Sequence, residues 1–273
     1  MLAVLSLIIP ASNEAGWIGA CLTAVAASDP MPNGLQVIVV ANGCRDGTAT
    51  VARGFAGRLP GLQVLELAVG SKPGALNAGD AVATGEVRAY LDADCRISPG
   101  VLAGLAQALA RPQPGYAGAT PVVPRARSWV TRAYARFWQR LPFARAVAPG
   151  YGLYAVNAAG RARWGAFPDL ISDDTYVRLH FRPDQRIQIP ATYLWPMVEG
   201  FAALVRVRRR QDTGVRQLMT EMPDLMQQEG KEPLGAAGLV RLALRDPLGF
   251  SVYAAVSLAV RLRRGGAGFT RGR

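Results

Sequence analysis

Between Ala3 and Val122 the sequence alternates short runs of aliphatic and β-branched residues with longer stretches patterned for helices. The runs are Ala3 to Ile9, Gln36 to Ala41, Leu62 to Leu67, Val87 to Leu91 and Tyr116 to Val122. The helical patterns between them cover Ala15 to Ala27, Gly47 to Ala56, Gly74 to Ala83 and Pro99 to Ala110. Strands that are apolar almost throughout are buried on both faces, and strand-helix alternation lets them pair in parallel beneath crossover helices. The pattern predicts an α/β chain with a mostly parallel sheet flanked by helices. In such sheets ligands collect outside the carboxyl ends of the strands. The residues there are Asn13-Glu14, Asn42-Gly43, Lys72 and Asp92-Ala93-Asp94.

The chain has 273 residues, 50% hydrophobic and 18% charged, a globular composition that excludes collagenous, disordered and coiled-coil chains. Its length suits one large or two small domains. Cys21, Cys44 and Cys95 are widely separated and form no CxxC pair, which argues against a disulfide framework and a cysteine-rich zinc site. Leu2 to Ile9 is apolar, but no basic segment precedes it and Pro10-Ala11-Ser12-Asn13-Glu14 ends it, so it reads as a buried strand rather than a signal peptide. The nearest candidate for a membrane span, Leu248 to Val260, lies between Asp246 and Arg261. As a helix it covers about 20 Å, short of a bilayer core of about 30 Å.

Charge divides the chain. Residues 1–124 hold seven basic and eight acidic residues, whereas residues 125–273 hold 24 and 11. A neutral front and a basic back suggest two tasks, one of them facing an anionic surface. Arg125 to Arg145 contains six arginines, no acid, and Trp129, Tyr134, Phe137, Trp138 and Phe143. That mixture suits a membrane interface, where rings sit at headgroup depth and guanidiniums meet phosphate. Leu248 to Val260, followed by Arg261, Arg263 and Arg264, repeats the pattern. Nucleic-acid binding could use the same charge, but no recognised nucleic-acid motif is present and the neutral front would have no part in it. Between these basic segments, Gly150 to Val156 is a short apolar run, and Ser172 is placed to cap a helix from Asp173 to Phe181. Residues 197–263 read as helical, with breaks near Pro223, Pro233 and Pro247.

The sharpest chemical signal is Leu91-Asp92-Ala93-Asp94-Cys95. Residues i and i+2 of a strand share a face, so two carboxylates there would project together and suit Mg²⁺ or Mn²⁺ bridged to phosphates. With Leu7 to Glu14, Val37 to Thr48, Lys72 to Gly79 and Ser172-Asp173-Asp174, this segment completes five motifs in order across about residues 4–180. In that order and spacing the chain resembles the family 2 glycosyltransferases, inverting enzymes of GT-A (Rossmann-like) fold that move a sugar from a nucleotide-sugar to an acceptor.

The resemblance implies a GT-A domain over residues 1–200, with nucleotide-sugar binding in 1–124 and the acceptor and base region in 125–200. A helical, basic extension over 201–273 would follow. It implies a nucleotide pocket from Pro10, Glu14, Asn42, Lys72 and Asp92, a divalent metal on Asp94, and Asp174 as general base. Asn42 stands where the family usually has Asp; its amide can accept from uracil but also offers donors, and a UDP-sugar remains the expected donor. Ser12 or Asn13 could instead simply cap a helix, with Glu14 complementing its dipole. The family's late Gln-x-x-Arg-Trp motif has no clean match; Arg206 to Arg210 falls in that area, and one of these arginines could clamp a diphosphate. The lone His180 suits packing or the surface better than a ligand site. A glycan or lipid-linked acceptor, reached from the inner face of the cell membrane by a peripheral cytoplasmic enzyme, fits the basic second half. The alternatives are a sugar-phosphate nucleotidyltransferase, which would ordinarily carry a Gly-rich basic loop where Pro10 to Glu14 stands, and a non-catalytic nucleotide- or lipid-binding relative.

Overall fold

The computed structural model describes residues 4–31, 33–230 and 234–262. Ala3, Pro233, Arg263 and Arg264 lie outside the described residues. Eight strands form one sheet: β1 Leu5–Ala11, β2 Leu35–Asn42, β3 Leu62–Leu67, β4 Val87–Leu91, β5 Arg96–Ile97, β6 Tyr116–Val122, β7 Leu153–Asn157 and β8 Arg186–Leu194. Their order is β3-β2-β1-β4-β7-β6-β8-β5. The front strands β3, β2, β1 and β4 pair in parallel, as the alternation predicts. Beyond β4 the sheet is mixed: β7 runs antiparallel to β4 and β6, β6 pairs in parallel with β8, and β5 is antiparallel to β8.

Helices α1 Ile18–Ala26, α2 Thr48–Arg53, α3 Lys72–Val82 and α4 Val101–Leu109 supply the front crossovers. The second half adds α5 Trp129–Trp138, α6 Ala158–Arg161, α7 Asp173–Leu179, α8 Phe201–Glu221, α9 Pro223–Met226, α10 Ala236–Arg245 and α11 Pro247–Leu262. Period-two burial divides the strands between two cores. Leu7, Ile9, Val37 and Val39 enter one, with Leu22 and Leu105. Ile8, Ile38 and Val40 enter the other, with Tyr90, Tyr116 and Tyr154.

A third core corrects the reading of Arg125 to Arg145 as a membrane-facing segment. Tyr134, Phe137 and Trp138 are buried, packed with Leu204, Val205, Val252, Val256 and Val260 from α8 and α11. Aromatics spaced along α5 have found a helical partner, and of its bulky rings Trp129 alone is largely exposed. Two of the arginines serve docking. Arg136 forks onto Asp246 through two 2.7 Å bonds, and Arg140 adds a third at 3.2 Å. Asp246 also accepts from the Gly249 N–H at 3.0 Å in the first turn of α11, so one carboxylate caps that helix and ties it to α5.

Two capping expectations also change. Helix α1 starts at Ile18, and neither Ser12 nor Asn13 caps it. Asn13 has φ 58° and its Oδ1 accepts from the Arg45 N–H at 2.8 Å, so it braces a turn instead. Ser172 occupies the cap position of α7, but its side chain makes no capping bond. Helix α8 crosses there so closely that a Cβ on Gly214 would collide with Ser172 Oγ, with Ile171 Cβ only 3.1 Å away.

Candidate active site

The carboxyl ends of β1, β2 and β4 and the start of α3 open onto one cleft. Its larger cavity, about 330 Å³, is lined on this side by Pro10, Ser12, Asn13, Glu14, Asn42, Lys72, Asp92 and Asp94. Every residue expected at the nucleotide and metal sites is therefore present. A second cavity of about 150 Å³ shares Pro10, Lys72 and Asp92 and adds Asp173 and Asp174.

The loop after β1 is set by the turn after β2. Thr48 Oγ1 accepts from the Glu14 N–H at 2.8 Å, and Asp46 Oδ2 accepts from the Ala15 N–H at 3.1 Å. Asn42 is buried, and its amide donates to Ala11 O at 3.0 Å and Val40 O at 3.4 Å. Its donors are thus turned onto the backbone, and the acceptor oxygen is the part left to meet a ligand. Asp92 and Asp94 depart from the strand geometry expected of them. Strand β4 ends at Leu91, and the Cys95 N–H donates to Asp92 O at 3.0 Å, closing a turn that carries both carboxylates to the cavity. Gly152, at φ 68°, passes this turn where a Cβ would lie 2.7 Å from Cys95 Sγ and 3.3 Å from Asp92 Oδ2; only glycine fits.

Lys72 links the two cavities. Helix α3 starts at Lys72 because Ser71 caps it, accepting from the Gly74 N–H at 3.1 Å. The ammonium lies 2.9 Å from Asp92 Oδ1 and 3.0 Å from Asp173 Oδ1. Desolvation works against its charge, but Asp173, Asp92 and Asp174 overcome it and hold Lys72 protonated well above its ordinary range. Asp173, buried, also accepts from Tyr154 Oη at 3.2 Å. Asp174 is pushed up to about 6 by desolvation and by the charge of Asp173, with Lys72 partly offsetting both. It accepts from the Thr175 N–H at 2.6 Å and keeps a face on the smaller cavity.

The opposite wall was not legible in the motifs. Trp195 follows β8 and lines both cavities, with Val207, Arg210 and Gln211 of α8. Trp138, Tyr151 and Trp195 pack together with all three centroid separations at 5.4 Å. Of the run Arg206 to Arg210, Arg208 is committed to Asp212 at 2.8 Å and Tyr253 Oη at 3.1 Å. Arg210 differs: its Nε is buried without a hydrogen-bond partner. Ser12 Oγ, across the larger cavity, is also buried and unpartnered. His180 lines neither cavity and packs between Trp164 and Tyr176, at 5.5 and 4.6 Å. All three cysteines are free thiols. Among the described residues no group of three or more His, Cys, Asp or Glu side chains is placed to hold a metal ion, and no helix is long and apolar enough to cross a membrane.

An α/β sheet with a carboxylate-rich cleft at its strand ends defines a GT-A type of protein, and comparison with known proteins agrees. The model of glycosyl transferase family 2 matches residues 6–162, and the chain belongs to that family. Family membership sets aside the nucleotidyltransferase alternative. A glycosyltransferase, AglE, of Haloferax volcanii is 38% identical over 95 residues, which cover 34% of this chain and 31% of that relative. Among solved structures, a mannosyltransferase of Pyrobaculum calidifontis in complex with GDP-Man and Mn²⁺ matches with TM-score 0.57 and 22% identity, over 100% of this chain and 78% of that one. Residues 1–349 of S. aureus TarS in complex with UDP-GlcNAc match with TM-score 0.55 and 14% identity, over 94% and 91%. These likenesses carry the fold.

Proposed function

We propose that the protein transfers a sugar, with inversion, from a nucleotide-diphospho-sugar to a hydroxyl of a glycan or lipid-linked acceptor. The observation that carries this reading is the gathering of Asp92, Asp94, Lys72 and Asp174 on the walls of two adjoining cavities, beside which Arg210 Nε and Ser12 Oγ are buried without hydrogen-bond partners. Buried polar groups without partners in a cleft fit a polar ligand that completes them.

In this reading Glu14 and Asn42 contact the nucleoside, Asp92 the ribose, and Lys72 and Arg210 the diphosphate. Asp174 accepts the proton of the acceptor hydroxyl as its oxygen attacks the anomeric carbon and the bond to the diphosphate breaks on the opposite face. A carboxylate raised to about 6 is ionised at neutral pH and still basic enough to take that proton. The chain's oxygen donors fit Mg²⁺ or Mn²⁺ in part: Asp94 lines the cavity, while Asp92 has one oxygen on Lys72. Asp94 would hold the ion together with the donor's phosphates, and when bound the ion supplies positive charge to the departing diphosphate. A UDP-sugar is the proposed donor, although the fold relatives above bind both GDP- and UDP-sugars. Residues 1–200 would form the transferase domain, and the extension from 201 would contribute α8 as the second wall. A lipid-linked acceptor would bring the enzyme to the inner face of a membrane.

The test is equilibrium binding of a panel of nucleotide-sugars, with and without Mn²⁺ or Mg²⁺, to the wild type and to Asp94→Asn. Metal-dependent binding of one nucleotide-sugar, lost in the variant, supports the site. Absence of binding under every condition overturns it and favours a non-catalytic relative.

A further inference from the structure

Helices α10 and α11 present an apolar surface that no part of the described chain covers. Along α11 the residues divide by face: Val252, Val256 and Val260 are buried in the third core, and Gly249 is buried against Asp246. The opposite stripe, at helical spacing, is Leu248, Ser251, Ala255, Leu258 and Leu262, all exposed, with Leu262 at 77%. Helix α10 has no buried residue, and its exposed side carries Val240 and Leu244, the latter at 77%. These stripes lie to either side of the Asp246-Pro247 joint, which Arg136 and Arg140 clamp to α5.

The exposed charges on these two helices have one sign. Arg241, Arg245 and Arg261 are exposed, and the only acid between residues 234 and 262, Asp246, is buried and paired with arginine. By sequence, residues 263–273 add Arg263, Arg264, Arg271 and Arg273 and no acid. An apolar stripe flanked by arginines alone does not suit a second copy of itself, because two such faces would bring like charges together. It suits a surface with apolar depth and anionic heads.

We propose that the outer face of α10 and α11 docks on an anionic phospholipid surface, with Leu244, Leu248, Leu258 and Leu262 entering the headgroup boundary and Arg241, Arg245 and Arg261 meeting lipid phosphate. Of the two segments the sequence suggested, the α5 aromatics are committed to the interior, and the outer face of α11, joined by that of α10, is the one left uncovered. The proposal stands apart from the sugar-transfer chemistry and does not depend on it.

Sedimentation with vesicles of phosphatidylcholine, with and without phosphatidylglycerol, tests it on the full chain. The wild type should pellet with the anionic vesicles and less so at high salt. Leu244→Asp with Leu258→Asp, at exposed positions, should weaken that binding roughly tenfold or more while leaving circular dichroism and the melting temperature unchanged. Arg241→Glu with Arg245→Glu should weaken it comparably. Lack of binding by the wild type, or undiminished binding by the leucine variant, overturns the proposal. So does a wild-type dimer in analytical ultracentrifugation that the leucine variant dissolves, which would assign the face to a second copy.

Discussion

The front wall of the cleft is held by polar bonds between loops at strand ends, whereas the back wall is held by rings packed between helices. In front, Asp46 and Thr48 fix the Glu14 loop, and Lys72 spans Asp92 and Asp173. Behind, Trp138, Tyr151 and Trp195 pack beside α8, which Arg208 ties to Tyr253 of α11 and Gly214 lets approach Ser172 closely. The front wall places charge where charge changes during transfer, and the polar bonds that position it are short and directional. The back wall supplies shape, and in the proposed reading its apolar contacts would tolerate the adjustment an acceptor pocket needs. Substitutions in front should therefore affect turnover more than folding, and substitutions behind should do the reverse.

The largest effect expected is that of Asp174→Asn. It should lower kcat by about 10²- to 10⁴-fold, the usual contribution of a positioned base, while the melting temperature stays level or rises because a crowded negative charge is gone. Steady-state kinetics beside a thermal melt would show it, and near-normal turnover would remove Asp174 from the mechanism. Lys72→Met should weaken donor binding and also cost about 2 kcal/mol of stability, measured by denaturant unfolding. It leaves Asp92 and Asp173 without their shared cation, but both the lysine and Asp92 retain solvent that softens the loss.

On the other wall, Trp195→Ala should cost roughly 2 to 3 kcal/mol through lost ring packing and raise the acceptor KM more than the donor KM. Equal changes in both would break the division between the walls. The pH profile sharpens it further. Activity should fall as pH drops through about 6, because Asp174 must be ionised to accept a proton. Asp173→Asn removes the neighbouring negative charge and should move that acid limb downward, whereas Trp195→Ala should leave its position unchanged.

The front sheet was legible in the sequence because parallel strands buried on both faces write themselves as apolar runs, and β3, β4 and β6 keep the bounds the runs gave. The Asp92-Ala93-Asp94 segment and Lys72 could be placed at the strand ends by local order in the chain, whereas Asp174 was named only through the resemblance of its motif to the family's. Local reasoning failed where a side chain had two possible partners. Ser12, Asn13 and Ser172 all look like caps, yet α1 starts later and α8 crowds Ser172. The Arg-aromatic segment looked like a membrane face because its partners, on α8 and α11, are more than sixty residues away in sequence.

By itself, then, the sequence determined the sheet's front half, the charge division and the identity of the carboxylates at the strand ends, all of which depend on residues near one another in the chain. The tertiary structure alone decided that Lys72 bridges Asp92 to Asp173, that Arg208 is paired while Arg210 Nε is buried without a partner, and which face of α11 is left uncovered. Those outcomes depend on which distant surfaces meet when the helices pack, and periodicity within one segment carries no information about its partner.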